Sequence, residues 1–309
     1  MSANNASELP LRVRVLGSGT SVGVPVIGCA CAVCLSNDPR NKRLRSSIAL
    51  EVSGKFLLVD CAIDFRAQML RDPLPRIDAL LLTHTHSDHV SGIDDLRIYN
   101  YRQGQVIPVY SAPNFLADLK TRFHYAFNPL QKGGGVPKLD LRPIQAGAPF
   151  DAAGVPVLPV AILHGKLPIL GFRVGDFAYL TDCSAIPEGS EALLQGLDTL
   201  ILSALRRTPH PTHFSLEQAL AAAKRLRPRR VYFTHIADEL EIEATNRALP
   251  AWARLLYDGQ TLEVAHMDLS TGRIAGGLEP TGIMPTFAER FAKAGMPLES
   301  IIPILGRWA

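Results

Sequence analysis

An apolar run from Ile77 to Leu82 stops abruptly at Thr83-His84-Thr85-His86-Ser87-Asp88-His89, and this junction constrains the chain more than any other feature. Three of the nine histidines fall within six residues here. In an extended segment His84 and His86 point the same way, so both imidazoles can reach one cation. Asp88 and His89 turn into the next element and can serve a second cation. Two metals held by these four residues alone are under-coordinated, so further ligands are expected at the ends of later strands. Three candidates have that form: His164 ends the apolar run Val155–Leu163, Asp182 follows Phe177–Leu180, and His235 follows Val231–Phe233. Loops at strand ends are where a rigid scaffold gathers a site.

The pattern around this junction alternates short strands with helices. Leu11–Leu16 reads as a strand broken by Gly17-Ser18-Gly19-Thr20. Ile48–Val52 and Phe56–Val59 flank Ser53-Gly54-Lys55 and read as a hairpin. Gly171–Leu180 reads as one strand, and Arg230–Phe233 as another. Ser215 with Gln218 forms a capping box ahead of a helix from about Leu216 to Leu226. The glycines at 133–135 read as a surface loop, and Phe287–Ala294 as a helix in an appended C-terminal segment. These elements predict an α/β or α+β core. The 309 residues are 47% hydrophobic with a net charge of +3. That excludes a disordered or disulfide-stapled chain, and the charge is too small to imply nucleic-acid or membrane binding. No apolar run approaches the roughly 18 residues that cross a bilayer. The opening MSANNASELP has no export-signal pattern, so a cytoplasmic location is expected.

His84-x-His86-x-Asp88-His89, followed in order by His164, Asp182 and His235, with Asp60 in Leu57-Leu58-Val59-Asp60, resembles the metallo-β-lactamase superfamily. The resemblance covers residues 11–264 and leaves 265–309 as a C-terminal extension. It implies an αββα sandwich with a dinuclear site at one edge of its sheets. It assigns His84, His86 and His164 to one metal and Asp88, His89 and His235 to the other, with Asp182 bridging. Asp60 is implied to orient a ligand histidine from behind. A His/Asp set suits zinc, manganese or iron. Such a metal pair lowers the pKa of water and neutralises charge building on a phosphoryl or carbonyl oxygen. Lactamases proper often use a cysteine in the second site. An aspartate at 182 points away from β-lactams and toward phosphodiesters.

Of the five cysteines, Cys29, Cys31 and Cys34 lie in one short stretch and offer three-quarters of a structural zinc site. Cys61 and Cys183 read as buried small residues. The run Val24-Pro25-Val26-Ile27-Gly28-Cys29-x-Cys31-x-x-Cys34 resembles the PhnP-like phosphodiesterases. In that subfamily a zinc outside the active site takes such cysteines plus a histidine three residues after the last active-site histidine. Here that position is Asp238, so a Cys₃Asp site is expected, with His266 as a distant substitute. The resemblance also gives His213, two residues before the Ser215 cap, a role in holding phosphate or protonating the leaving group. A positive imidazole at that place would suit an anion. His210 reads as a bystander. Arg97 and Asn100 are candidates to face the site, and Gly17–Thr20 to form an anion nest. The run Lys224–Arg230 reads as a solvated helix end. The expected activity is hydrolysis of a small, cyclic phosphodiester by two divalent ions, without nucleic-acid or membrane partners and as a homodimer. The alternatives are a transfer-RNA 3′-end nuclease and a thioester or lactone hydrolase of the same fold.

Overall fold

The computed structural model describes residues 11–129 and 135–264. The expected helix Phe287–Ala294, His266, Gly133 and Gly134 lie outside the described residues. The chain runs through β1 (Leu11–Gly17), β2 (Ser47–Val52), β3 (Lys55–Val59), β4 (Ala79–Leu81), β5 (Ile107–Ser111) and β6 (Leu139–Pro143). It then enters a second group: β7 (Phe150–Ala152), β8 (Val155–His164), β9 (Leu167–Val174), β10 (Phe177–Leu180), β11 (Thr199–Ser203), β12 (Arg230–Thr234) and β13 (Ala253–Leu255). The last described strand, β14 (Thr261–Val264), returns to the first group. Two seven-stranded sheets result, ordered β14-β1-β2-β3-β4-β5-β6 and β13-β12-β11-β10-β9-β8-β7.

The period-two alternation of the strands builds the layers. Leu11, Val13, Val15, Ile48, Leu50, Leu57, Val59, Ala79 and Leu81 belong to the large core shared with the second sheet. Their sequence neighbours Ala49, Phe56, Leu58 and Leu80 face the other way. They form a separate core with Phe65, Leu96, Tyr99, Leu116 and Leu119 from the covering helices. The helix Leu216–Leu226 covers the second sheet, placing Leu216, Ala219, Ala222, Ala223 and Leu226 in the large core. Its capping box is complete: Ser215 Oγ accepts from the Gln218 amide, and Gln218 Oε1 accepts from the Ser215 amide at 2.9 Å. The β2–β3 hairpin forms as expected.

The run Gly171–Leu180 is not one strand. It folds back at Gly175, where φ is +55°, so that β9 and β10 pair antiparallel with Phe177 opposite Val174. Gly-Asp between two apolar runs is a hairpin signal that the longer hydrophobic run concealed. Strands β3 to β6 are mutually parallel, as are β10 to β13. Their carboxyl ends therefore open on one edge of the sandwich, where crossover loops deliver side chains.

Candidate metal centre

Each candidate ligand sits just past or at the end of a strand: Asp60 after β3, His84 after β4, His164 at the end of β8, Asp182 after β10 and His235 after β12. His86, Asp88 and His89 follow on the loop and the short helix Ser87–Val90. Three of these residues adopt left-handed backbone, with φ of +59° at Asp60, +52° at Asp182 and +58° at His235. That turn swings each side chain off the strand's pleat and across the sheet edge. Asp and His tolerate the region better than most non-glycine residues.

Two groups of ligand atoms form, one of His84, His86, His164 and Asp182, the other of Asp88, His89, Asp182 and His235. Asp182 belongs to both. Its Oδ2 lies 3.8 Å from His84 Nε2, while its Oδ1 lies 3.3 Å from His89 Nε2 and 3.1 Å from His235 Nδ1. His89 Nε2 is also 3.2 Å from Asp88 Oδ2. Two ligand atoms around one tetrahedral zinc stand about 3.3 Å apart if the bonds are about 2.0–2.1 Å, so the second group fits an ion. The buried ring nitrogens His84 Nε2, His89 Nε2, His235 Nδ1 and His235 Nε2 have no hydrogen-bond partner. Orphaned acceptors at such depth are costly unless something else binds them.

Behind the ligands, a second ring of contacts fixes their tautomers. His89 Nδ1 donates to Asp60 Oδ2 at 2.7 Å, and Thr83 donates its amide to Asp60 Oδ1 at 2.9 Å. The Thr83 hydroxyl also donates to Asp60, at 2.9 Å from Oδ2, which leaves its lone pair for His84 Nδ1 at 3.0 Å. His164 Nδ1 donates to the Thr212 carbonyl at 2.8 Å. In all three histidines Nε2 is thus left as the free donor atom. The neighbouring Thr83 was overlooked in the sequence, although its place beside His84 was the available signal.

Burial pushes His84 and His235 below the ordinary histidine range. Burial alone would do the same to His89, but Asp182, Asp60 and Asp88 overcome it and hold that imidazole well above. Burial works to raise Asp182, yet His235 and His89 draw it well below the usual carboxylate range. These opposed shifts within one cleft are the electrostatic mark of a functional site.

His213 lies at this edge, its ring stacked on His235 at 4.8 Å and 4.6 Å from that of His164. The hydrogen bond from the Phe214 amide to the Cys183 carbonyl, at 2.6 Å, ties its loop beside Asp182. The expected positive charge on it is not supported. Burial, reinforced by His235, pushes His213 down to about 3, so the imidazole is neutral. His210 stands behind it, 5.2 Å ring to ring.

Asn100 and the Gly17–Thr20 segment lack the free donors expected of them. Asn100 donates to the Gln105 and Lys138 carbonyls and accepts from the Lys138 amide, which makes it a loop clamp. Arg97 is ion-paired with Asp94. The Gly17–Thr20 segment is no nest: the Ser18 amide and hydroxyl bind Asp258, the Gly19 amide binds Leu44 O and the Thr20 amide binds Ile236 O. The basic run is the exposed helix end expected of it: Lys224 and Arg225 lie in the last turn of the helix Leu216–Leu226, Arg225 pairs with Glu191, and Arg229 and Arg230 pair with Asp198.

Cys29, Cys31, Cys34 and Asp238 form a third group of ligand atoms. One oxygen, Asp238 Oδ2, lies 3.3, 3.4 and 3.5 Å from the three sulfurs in turn. Zinc bonds of about 2.3 Å to sulfur and 2.0 Å to oxygen put those atoms about 3.5 Å apart in a tetrahedron. Each sulfur accepts a backbone amide, from Val26 to Cys34, from Cys31 to Cys29 and from Cys34 to Cys31, which stabilises thiolate character. Burial pushes Cys34 itself up to about 12, so without a cation beside it this sulfur keeps its proton. Cys61 and Cys183 are fully buried in the apolar cores, as expected.

A family model for the beta-lactamase superfamily domain matches residues 55–236. The structure of a diphosphatase from the PhnP family is 42% identical in sequence and superposes with a TM-score of 0.77, covering 82% of this chain and 97% of that one. Zinc-bound PqqB from Methylobacterium extorquens shares the fold at 23% identity and a TM-score of 0.67, over 81% of this chain and 99% of that one. An octanoyltransferase of Porphyromonas gingivalis is 38% identical over 254 residues, which are 81% of this chain. They are 51% of that protein, so the chain spans about half the length of this relative. No helix among the described residues is long and apolar enough to cross a membrane.

Proposed function

Because the chain belongs to the beta-lactamase superfamily, as a PhnP-like hydrolase, we propose that it is a dinuclear phosphodiesterase that opens a small, cyclic phosphodiester. The observation that carries the reading is the division of Asp182 between two ligand groups, in which buried ring nitrogens of His84, His89 and His235 have no hydrogen-bond partner. His84, His86 and His164 would hold one divalent ion; Asp88, His89 and His235 the other, with Asp182 common to both. The ligand spacing accommodates zinc, and the His/Asp set equally suits manganese or iron. When bound, such a pair lowers the pKa of water to near neutrality and withdraws charge from the phosphoryl oxygens.

The protein's own groups supply orientation. Asp60 and Thr83 keep the ring planes of His89 and His84 fixed while charge develops. Asp88 is held ionised by His89 and His235 against the effect of its own burial, so beyond holding an ion it would serve as a hydrogen-bond acceptor for the attacking water. His213, neutral and wedged between His164 and His235, has a buried Nδ1 with no hydrogen-bond partner, and its ring would offer a nitrogen to the substrate phosphate. The name of the Porphyromonas relative raises an acyl substrate as the second reading.

The test is hydrolysis of bis(p-nitrophenyl) phosphate and of p-nitrophenyl octanoate by the full chain, with metal content measured on the same sample. Phosphodiester turnover that vanishes in His84→Ala, with about three metals per chain in the parent and two in Asp238→Ala, supports the proposal. Turnover of the octanoate with none of the phosphodiester, at full metal loading, replaces it with the acyl reading.

A further inference from the structure

The turn from His235 to Leu240 carries a candidate ligand of each kind of cluster, His235 for the active site and Asp238 for the thiolates, three residues apart. It is held from two sides. The Ile236 amide donates to Ser18 O at 2.9 Å and Ile236 O accepts from the Thr20 amide at 3.2 Å, while the Ala237 amide donates to Leu205 O at 2.9 Å. From beneath, one side chain reaches both ends of the Asp238 loop. Arg43 donates to the Ala237 carbonyl at 2.9 Å and to the Leu240 carbonyl at 2.6 Å, and it contacts Asn41 Oδ1 at 3.2 Å. Asn41 in turn accepts from the Ile242 amide at 3.0 Å. Arg43 is 1% exposed, among the largest fully buried side chains of the protein, and no carboxylate pairs with it directly among the described residues. A buried, unpaired guanidinium is expensive, and a chain keeps one only where nearby negative charge compensates it.

We infer that Arg43 is the positioning residue that holds the thiolate cluster and His235 as one unit, its charge balancing the negative charge that Asp238 brings where an imidazole would bring none. The inference rests on the cluster being a metal site. Three thiolates and a carboxylate bring four negative charges against two on a divalent ion; with a histidine the excess falls from two to one. Lys42 lies beside Arg43 in the chain and donates to the Cys34 carbonyl at 2.8 Å, so a second cation is fixed next to the cluster. Two cations adjacent in sequence thus bond to the backbone around a site whose net charge would be minus two. Burial lowers Arg43 to about 10, with Asp258, Glu241, Asp238 and Asp38 opposing that effect, and it stays positive at neutral pH.

Charge balance and plain structural support predict different double variants. Zinc affinity of the cluster in the full chain is read by competition with a chromophoric chelator, and the thiolate environment by the sulfur-to-cobalt absorption of the cobalt-loaded protein. Arg43→Met should weaken zinc at the cluster about 10- to 100-fold, the usual cost of removing a residue that supports metal ligands. Asp238→His should gain more affinity in the Arg43→Met background than it gains alone in the parent, recovering most of the loss, because it removes the charge that Arg43 balanced; under a scaffold defect the two gains would be equal. Arg43→Lys, which keeps the charge with a shorter reach, should retain most of the affinity and guards against a methionine variant that does not fold. Unchanged zinc affinity in folded Arg43→Met, a gain from Asp238→His no larger in that background than in the parent, or a folded Arg43→Lys as weak as Arg43→Met would overturn the inference. A parent protein with no sulfur-to-cobalt absorption would overturn the cluster as a metal site, and this inference with it.

Discussion

Replacing Asp60 by asparagine changes one atom and almost no volume, and asparagine tolerates the left-handed φ of +59° found there, so backbone strain is unaltered. What changes is the direction of one hydrogen bond. Asp60 Oδ2 accepts from His89 Nδ1 at 2.7 Å inside a fully buried pocket. In Asp60→Asn an amide N–H faces that nitrogen, and the pair is satisfied only if the His89 proton moves to Nε2. There it points at Asp88 Oδ2, 3.2 Å away, and Asp182 Oδ1, 3.3 Å away, and the lone pair for an ion is gone. The other group is spared: His164 is oriented by the Thr212 carbonyl, and His84 by a Thr83 hydroxyl that keeps Asp60 Oδ1 within 3.1 Å. The expected result is a selective loss. Zinc at the Asp88/His89/His235 group weakens about 10- to 100-fold, or about 1.4–2.7 kcal/mol. The His84/His86/His164 group changes little. Equilibrium dialysis at graded free zinc, with metal counted per chain, resolves the two steps, and the thiolate cluster serves as an internal reference. Equal weakening of both groups, or of neither, would refute the tautomer argument.

Two further outcomes follow from other parts of the molecule. The cluster must shed thiol protons to bind an ion, and Cys34 lies at about 12, so apparent zinc affinity there rises with pH. Between pH 6.5 and 7.5 the gain is at least about tenfold and at most about a thousandfold, one decade per proton released; chelator competition that shows a flat profile would exclude thiolate ligation. Ser215→Ala removes half of a complete capping box and should cost about 1 kcal/mol in urea unfolding, with no change in metal content; a stability equal to the parent's would mean that the helix start is held by its packing alone.

What the sequence discloses is mostly local. Thr83 to His89 and Cys29 to Cys34 are readable because their ligands are close in the chain, whereas Asp238 is reached only through the family resemblance, which implies a ligand three residues after His235. The capping box at Ser215 and the β2–β3 hairpin are likewise written in a few consecutive residues. The run Gly171–Leu180 hides a local hairpin, but what the sequence conceals elsewhere involves partners far away in the chain. Gly17–Thr20 looks like an anion loop until Asp258, 240 residues on from Ser18, takes up its donors. Asn100 resembles a substrate contact until the loop at Lys138 folds onto it. Arg43, in the basic string Lys42-Arg43-Leu44-Arg45, has the composition of a surface segment, yet it is buried under carbonyls nearly 200 residues away. Local pattern predicts where a residue sits on its own element; which element later covers it is a property of topology.

That distinction also explains where strain is stored. Asp60, Asp182 and His235 each pass through left-handed backbone at a strand end. Such residues cost of order 1–3 kcal/mol each, so the three together reach about 3–9 kcal/mol, a large share of the 5–15 kcal/mol that holds a domain folded. Each is flanked by sheet pairing on one side: Val59 with Leu81, Leu180 with Leu202, and Thr234 with Ser203. The ladders and the cores beneath them can hold the turns in place because the residues that enter them, Val59, Leu180 and Thr234, are fully buried. Relaxed, extended backbone at the same positions would carry the side chain on along its own strand, and neighbouring strands 4.7–4.9 Å apart could not converge their ligands on one point. The left-handed turn brings Asp182 within reach of His84 in one group and His235 in the other, a convergence that straight strands do not provide. A glycine at 182 would relieve the strain and remove the shared carboxylate. The strain is therefore inseparable from the shared ligand, and it persists because two sheets, one on each side of the edge, over-determine the turn.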